Sequence, residues 1–453
     1  MKVHFIAVGG SAMHNLALAL QKKGYEISGS DDEIFEPSRS RLEKAGLLPS
    51  AWGWFPEKIT PDLDAVILGM HATADNPELL KAREIGVKIY SYPEYLYEQT
   101  RHKKRIVVGG SHGKTTTTSM ILHVLKHTSL PFDYMVGALL EGFDTMVSLK
   151  DESSIAVFEG DEYLSSPIDR SPKFFHYHPD IAVLTGIAWD HMNVFPTFDN
   201  YVEQFARFCE KIAPGGKLIY FEKDLNIRKI LNYCPSSVNR IAYGAFPHLS
   251  RAGKTYLQWK GEERELQIFG LHNLQNLSAA YRVCQELGID DRTFLEAIST
   301  YKGASKRLQK ITETEDAVAY LDFAHSPSKL KATLEAVRAQ YPGKKLIACM
   351  ELHTFSSLNA AFLPQYKDSM AAADLALVFY NPEVIRHKKL PEITPEEVRQ
   401  GFNRSDLHVF TDNRPLTGFL EGLEYGNTVL LIMTSGNFSG IPIKETVVNL
   451  LHK

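Results

Sequence analysis

Few eight-residue stretches leave a chain as little freedom as Gly109-Gly110-Ser111-His112-Gly113-Lys114-Thr115-Thr116. It lies between an apolar run at Arg105–Val108 and a helical pattern that starts at Thr115. Glycines let backbone N–H groups turn inward around an anion, and a helix N-terminus adds partial positive charge. Lys114 can bridge phosphate oxygens, and Thr115 can set its hydroxyl on a magnesium ion. The strict pattern G-x-x-x-x-G-K-[ST] has Val108 at its first glycine position, so the match is incomplete. The bland alternative is an ordinary strand–turn–helix junction. The order strand, glycines, lysine, threonine, helix favours a nucleotide triphosphate site.

At roughly 150 residues per domain, 453 residues imply about three domains. Three blocks emerge: residues 1–102, 103–302 and 303–453. In the first, Val3–Val8 reads as a buried parallel strand, followed by Gly9-Gly10-Ser11 and a helix over Ala12–Lys23. Tyr25–Gly29 and Ala65–Leu68 read as further strands, and Asn76-Pro77-Glu78 as a helix start. The second block has strands at Arg105–Val108, Ile155–Phe158, Ile181–Thr185 and Lys217–Tyr220, then helices at Asn273–Leu287 and Asp291–Thr300. The third has strands at Val318–Phe323, Leu346–Met350, Leu375–Phe379 and Val429–Met433. Such alternation specifies a doubly wound α/β fold.

Lys and Arg number 50 and Asp and Glu 54, a formal charge of −4. That is not the basic footprint of a nucleic-acid binder, so a polyanionic ligand must meet local positive sites. No apolar run reaches the ~18 residues a bilayer requires. The apolar start of the chain turns into a glycine loop, unlike a signal peptide, and a cytoplasmic location is expected. Cys209, Cys234, Cys284 and Cys349 lie far apart, which reads as buried free thiols.

A phosphate loop needs metal partners. Glu159 ends the strand Ile155–Phe158, where an acid points into the ligand crevice of a parallel sheet. His191 follows the strand Ile181–Thr185 in Trp189-Asp190-His191-Met192-Asn193. Alone, an Asp-His pair reads as a structural hydrogen bond. Two such residues, both just past strands that follow a phosphate loop, shift the balance toward a metal site.

Together these stretches resemble the Mur ligase family of cell-wall amide-bond ligases. Gly110–Thr116 is similar to that family's GT-x-GKT loop, with Ser111 for the first Thr, and Asp190-His191-Met192 to its DHM motif. Gly270-Leu271-His272-Asn273-Leu274-Gln275-Asn276 resembles G-x-HN-x-x-N, and Lys306-Arg307 the basic pair opening the last domain. Asp322-Phe323-Ala324-His325-Ser326-Pro327 resembles D-Y-x-H-H-P, with Phe for Tyr and Ser for the second His. The five matches are collinear along the chain. The resemblance implies a Rossmann-like N-terminal domain, a central phosphate-loop ATPase domain and a Rossmann-like C-terminal domain. It implies ATP and Mg2+ as cofactors. Gly110, Ser111, His112, Gly113, Lys114, Thr115 and Thr116 would hold the phosphates, with one magnesium ion on Thr115 and Glu159 and a second on His191. Asn273 and Asn276 would lie at the adenine, Arg307 at the γ-phosphate, Asp322 at the ribose and Phe323 near the base. The implied catalytic set is Lys114, Glu159, His191 and Arg307. Asn273 also fits a helix N-cap, Phe323 a core residue and His325 a loop-ordering role. The implied chemistry is formation of an acyl phosphate from a carboxylate and its capture by an amine. Some members carry a carbamylated lysine after the DHM motif. Here that stretch is Tyr201-Val202-Glu203-Gln204-Phe205-Ala206-Arg207, without lysine.

Within the family, Gly9-Gly10-Ser11 and Ser30-Asp31 resemble the branch acting on UDP-N-acetylmuramate, and no G-x-G-x-x-G dinucleotide fingerprint is present. Gly10, Ser11, Asp31 and His71, the last within Met70–Pro77, are the implied UDP-sugar residues. Asp31 also reads as a turn cap and Asn76 as a helix cap. One activity of that branch adds L-alanine; another adds the recycled tripeptide L-alanyl-γ-D-glutamyl-meso-diaminopimelate. Three segments resemble the tripeptide-adding enzymes: Glu159–Tyr163 with Arg170–Tyr177, Ser30–Pro37, and Met433–Ile441. Glu351-Leu352-His353-Thr354 is mixed, and Glu351 and His353 are candidates to meet the amine. Arg386, His387, Lys388 and Lys389 could face peptide carboxylates or simply line a solvated loop. A nucleotide-sugar-binding protein without catalysis is the alternative of a different class. The set Lys114, Thr115, Glu159, His191 and Arg307 argues against it.

Overall fold

A computed structural model describes residues 1–251 and 253–453. Three parallel or mostly parallel sheets carry the chain. In the first, Lys2–Ile6 lies between Glu26–Ser30 and Ala65–Leu68, with Ile89–Ser91 at the far edge, all parallel. Every residue of Ala65–Leu68 is buried, as a strand covered on both faces must be. The leading strand stops at Ile6, short of the expected Val8, because Ala7 turns into the left-handed region at φ 66°. Asn76 caps the helix Pro77–Ile85, its side chain accepting the Glu78 and Leu79 N–H groups at 3.0 and 3.2 Å.

The second sheet has seven strands in the order Asn239–Tyr243, Lys217–Phe221, Ile181–Leu184, Lys104–Gly109, Ile155–Glu159, Phe132–Met135 and Val147–Ser148. All neighbours are parallel except the last pair. Lys104–Gly109 is central, with Val108 opposite Glu159 on one side and Gly109 opposite Leu184 on the other. That register brings the loop after Gly109, the carboxylate of Glu159 and the turn after Leu184 to one end of the sheet.

The third sheet runs Gln309–Glu313, Ala317–Asp322, Thr428–Met433, Lys345–Leu352, Leu375–Tyr380, His408–Phe410; only the first strand is antiparallel. Buried cores cover both of its faces, one including Val318, Met350 and Val378, the other Ile347, Cys349 and Leu377. A small antiparallel sheet, His248–Arg251, Lys254–Trp259 and Glu262–Leu266, was not apparent in the sequence.

The fold forms two compact units. One comprises Met1–Ile187, Asp199–Gly244 and Ala279–Phe294; the other Ala188–Phe198, Ala245–Ser278 and Leu295–Lys453. The four cysteines are free and buried. Among the described residues, no helix is long and apolar enough to cross a membrane.

Candidate active site

In the first unit the phosphate loop is built on two glycines that no other residue could replace without strain. Gly110 has φ 133° and Gly113 φ 83°. A Cβ on Gly110 would overlap the Thr185 hydroxyl. The Ser111 N–H donates to the Gly186 carbonyl at 2.9 Å, which ties the loop to the neighbouring strand end. The helix Lys114–His127 starts directly behind, capped by Gly113 without a side-chain acceptor, so its first N–H groups face the loop.

Lys114 sends its ammonium to the Gly110 carbonyl at 2.7 Å and to Glu162 Oε2 at 2.6 Å. Burial alone would depress its pKa, but Glu162, then Asp161 and Glu159, outweigh that and hold it above the ordinary lysine value. The Thr115 hydroxyl donates to Glu159 Oε1 at 2.8 Å, and the Gly137 N–H donates to Glu159 Oε2 at 2.7 Å. A threonine hydroxyl and a carboxylate in contact at a helix N-terminus are the hard oxygen donors magnesium selects, so these residues fit that ion. Ser111 and Thr116 are buried beside them.

Glu162 and Tyr201 were not among the expected residues. Glu162 is fully buried, and Tyr201 donates to its Oε1 at 2.8 Å while lying 2.8 Å from the Ser111 hydroxyl. Glu162 could have been suspected from its place three residues beyond Glu159. Nothing in the spacing points to Tyr201.

In the same unit Asp31 Oδ2 accepts the Gly9 N–H at 2.6 Å and Oδ1 the Asp32 N–H at 3.0 Å. Burial pushes its carboxyl up to about 6, against the Gly9 bond. A Cβ on Gly9 would stand 2.9 Å from Asp31 Oδ2, so this close approach requires glycine. Gly10 caps the helix Ser11–Lys22, and Ser11 opens it. His71 lies exposed beyond the strand Ala65–Leu68.

The second unit holds the other candidates. His191 has φ 56°, and its N–H donates to Asp190 Oδ1 at 2.8 Å. Asp190 is buried, with Oδ2 3.3 Å from Lys329 Nζ and 4.0 Å from His325 Nε2. Burial opposes its ionisation, yet Lys329, then His191 and His325, hold its carboxyl far below the usual range. His325 Nδ1 lies 2.8 Å from the Phe323 carbonyl, and Tyr366 donates to the His325 carbonyl.

Asn273 is the third residue of the helix Leu271–Glu286, and its amide donates to the Phe269 carbonyl at 2.8 Å, so it does not cap that helix. Asn276 is buried in the following turn. Asp322 accepts the Leu308 and Ala324 N–H groups, each at 2.7 Å, and the Thr333 hydroxyl at 3.3 Å. The Arg307 guanidinium lies 4.8 Å from the centre of the Phe323 ring, which is only partly buried and outside the core. Lys306 and Leu308, on either side of Arg307, take φ 54° and 44°. Two left-handed residues in so short a turn are a strain that packing must sustain.

Glu351 and His353 stand at the end of the strand Lys345–Leu352, beside the end of its neighbour Thr428–Met433. The buried Glu351 carboxylate accepts the Thr434 hydroxyl and, at 3.0 Å, the Phe438 N–H. His353 Nδ1 lies 3.5 Å from Glu351 Oε1. A Cβ on Gly436 would stand 2.7 Å from both Glu351 Oε2 and His353 Nδ1, so glycine is what lets this pair form.

The structure thus joins Lys114, Thr115 and Glu159 in the first unit, and Arg307 with Phe323 and Glu351 with His353 in the second. His191 stands with Asp190, also in the second. Three family models match in sequence: the Mur ligase family catalytic domain over residues 2–104, the Mur ligase middle domain over 108–284, and the Mur ligase glutamate ligase domain over 306–436. A UDP-N-acetylmuramate–L-alanine ligase from Caldicellulosiruptor bescii is 31% identical over 88% of this chain and 87% of its own. Among solved structures, a murein peptide ligase from Psychrobacter arcticus has TM-score 0.67 and 22% identity over 99% of this chain and 98% of its own. A UDP-N-acetylmuramate–alanine ligase from Thermotoga maritima has TM-score 0.70 and 19% identity over 100% and 98%. The chain belongs to the Mur ligase family, whose members are ATP-dependent amide-bond-forming ligases.

Proposed function

We propose that this protein joins L-alanyl-γ-D-glutamyl-meso-diaminopimelate to the lactyl carboxylate of UDP-N-acetylmuramate at the expense of ATP. The observation that carries the reading is the Glu351 cluster. Glu351 opens one segment, and Thr434, Gly436 and Phe438 belong to Met433–Ile441, which resembles the tripeptide-adding enzymes; hydrogen bonds join the two into one site. The Arg170–Tyr177 segment supports the same reading. It is closed onto the Glu159 strand end by Lys173, whose ammonium reaches Asp161 at 2.6 Å.

The blocks 1–102, 103–302 and 303–453 then serve as UDP-sugar, ATP and amine domains. Gly10, Ser11, Asp31 and His71 bind the UDP-sugar. Lys114 and the loop N–H groups hold the triphosphate. Thr115 and Glu159 would hold one magnesium ion and His191 a second, and such ions would supply charge neutralisation at the phosphate oxygens. Asn273, Asn276, Asp322 and Phe323 bind the nucleoside, and Arg307 reaches the γ-phosphate. Phosphoryl transfer needs alignment and charge neutralisation more than covalent help. The carboxylate attacks the γ-phosphorus, ADP leaves, the amine attacks the acyl carbon, and phosphate departs. Glu351 and His353 receive the amine.

A second reading, addition of L-alanine, is favoured by the 31% identity to ligases of that name. Product formation from ATP, magnesium and UDP-N-acetylmuramate separates the two. With the tripeptide, kcat/KM should exceed that with L-alanine by at least 100-fold; the reverse ratio establishes the second reading.

A further inference from the structure

We infer that Glu162, held by Tyr201, is a positioning residue that fixes where the Lys114 ammonium stands before ATP arrives. This rests on the reading of Lys114 as the triphosphate-binding lysine. A fully buried carboxylate survives only if it is paired and hydrogen-bonded. Glu162 has both kinds of partner: Lys114 Nζ at 2.6 Å on one oxygen and the Tyr201 hydroxyl at 2.8 Å on the other. Tyr201 also lies 2.8 Å from the hydroxyl of Ser111, inside the phosphate loop. The circuit therefore runs from the loop through the helix Phe198–Glu210 to Glu162, then to Lys114 and back to the loop at the Gly110 carbonyl, 2.7 Å away.

The Tyr201 ring cannot drift. It packs edge-on against Phe205, which packs edge-on against Phe174. An ammonium has three N–H donors. Glu162 and Gly110 take two, and the remaining direction is set by them. A long lysine side chain otherwise samples many rotamers, a freedom this pairing removes ahead of binding. Glu162 also places a negative charge beneath a cation that must attract phosphate. The arrangement thus gives up ground-state affinity for a fixed geometry, and its loss should show in turnover rather than in ATP binding.

The test is calorimetric ATP binding beside steady-state kinetics for E162Q and Y201F. In E162Q, kcat should fall at least tenfold while Kd for ATP stays unchanged or tightens. In Y201F, which keeps the ring and loses the hydroxyl, kcat should fall at least threefold with Kd unchanged. Turnover within twofold of wild type, or ATP binding that weakens in step with kcat, overturns the inference. Should E162Q not fold, Y201F carries the same split alone. K114A separates the two claims: if it turns over normally, the reading of Lys114 itself fails. If K114A is inactive and E162Q is normal, only the positioning role fails.

Discussion

Lys114, Thr115 and Glu159 were legible from sequence because their chemistry is local. A glycine-rich turn between strand and helix dictates an anion site, and an acid ending the adjacent strand faces it. K114A should lower turnover by about a thousandfold, the cost of losing one preorganised charge at the transferring phosphoryl group in the proposed mechanism; a coupled phosphate-release assay measures it. The pairing of Glu162 with Tyr201 was not legible, because it closes across 39 positions through packing that no spacing encodes. His325 carries a pH prediction. Burial, then Lys329, lowers its pKa to about 3 from 6.5. The folded chain therefore binds this proton less tightly than the unfolded chain. The stabilisation is complete above 6.5 and is lost as pH falls toward 3, by about 1.4 kcal/mol per pH unit. Melting temperatures from pH 7 to 5 should fall more steeply for wild type than for H325Q.

Among elements, strands buried on both faces announce themselves as unbroken apolar runs, and Ala65–Leu68 and Thr428–Met433 are of this kind. The strand Glu262–Leu266 is not, since four of its five residues are exposed and charged. Its pairing with Lys254–Trp259 replaces any hydrophobic alternation as the source of order. Helix starts read well where a cap and proline coincide. N76A should cost about 1 kcal/mol of stability, seen as a lower denaturation midpoint with KM for ATP unchanged. The helix Leu271–Glu286 read less well. Its Asn273 has the composition of a cap, yet the helix begins two residues earlier and the side chain bonds back to Phe269 instead.

At the scale of the molecule, three sheets and the collinear motifs carry one chemical plan. The amine is the least legible part. In the proposed reading it meets the Glu351 cluster, whose partners come from strand ends more than 80 positions apart. The carboxylate chemistry is independent of which amine arrives, and one isotope measurement tests it. UDP-N-acetylmuramate labelled with 18O in its lactyl carboxylate is turned over with ATP and the amine, and the released phosphate is analysed by mass spectrometry. Attack of that carboxylate on the γ-phosphorus predicts one 18O atom in each phosphate formed. Unlabelled phosphate beside a normal yield of amide would contradict carboxylate activation by ATP.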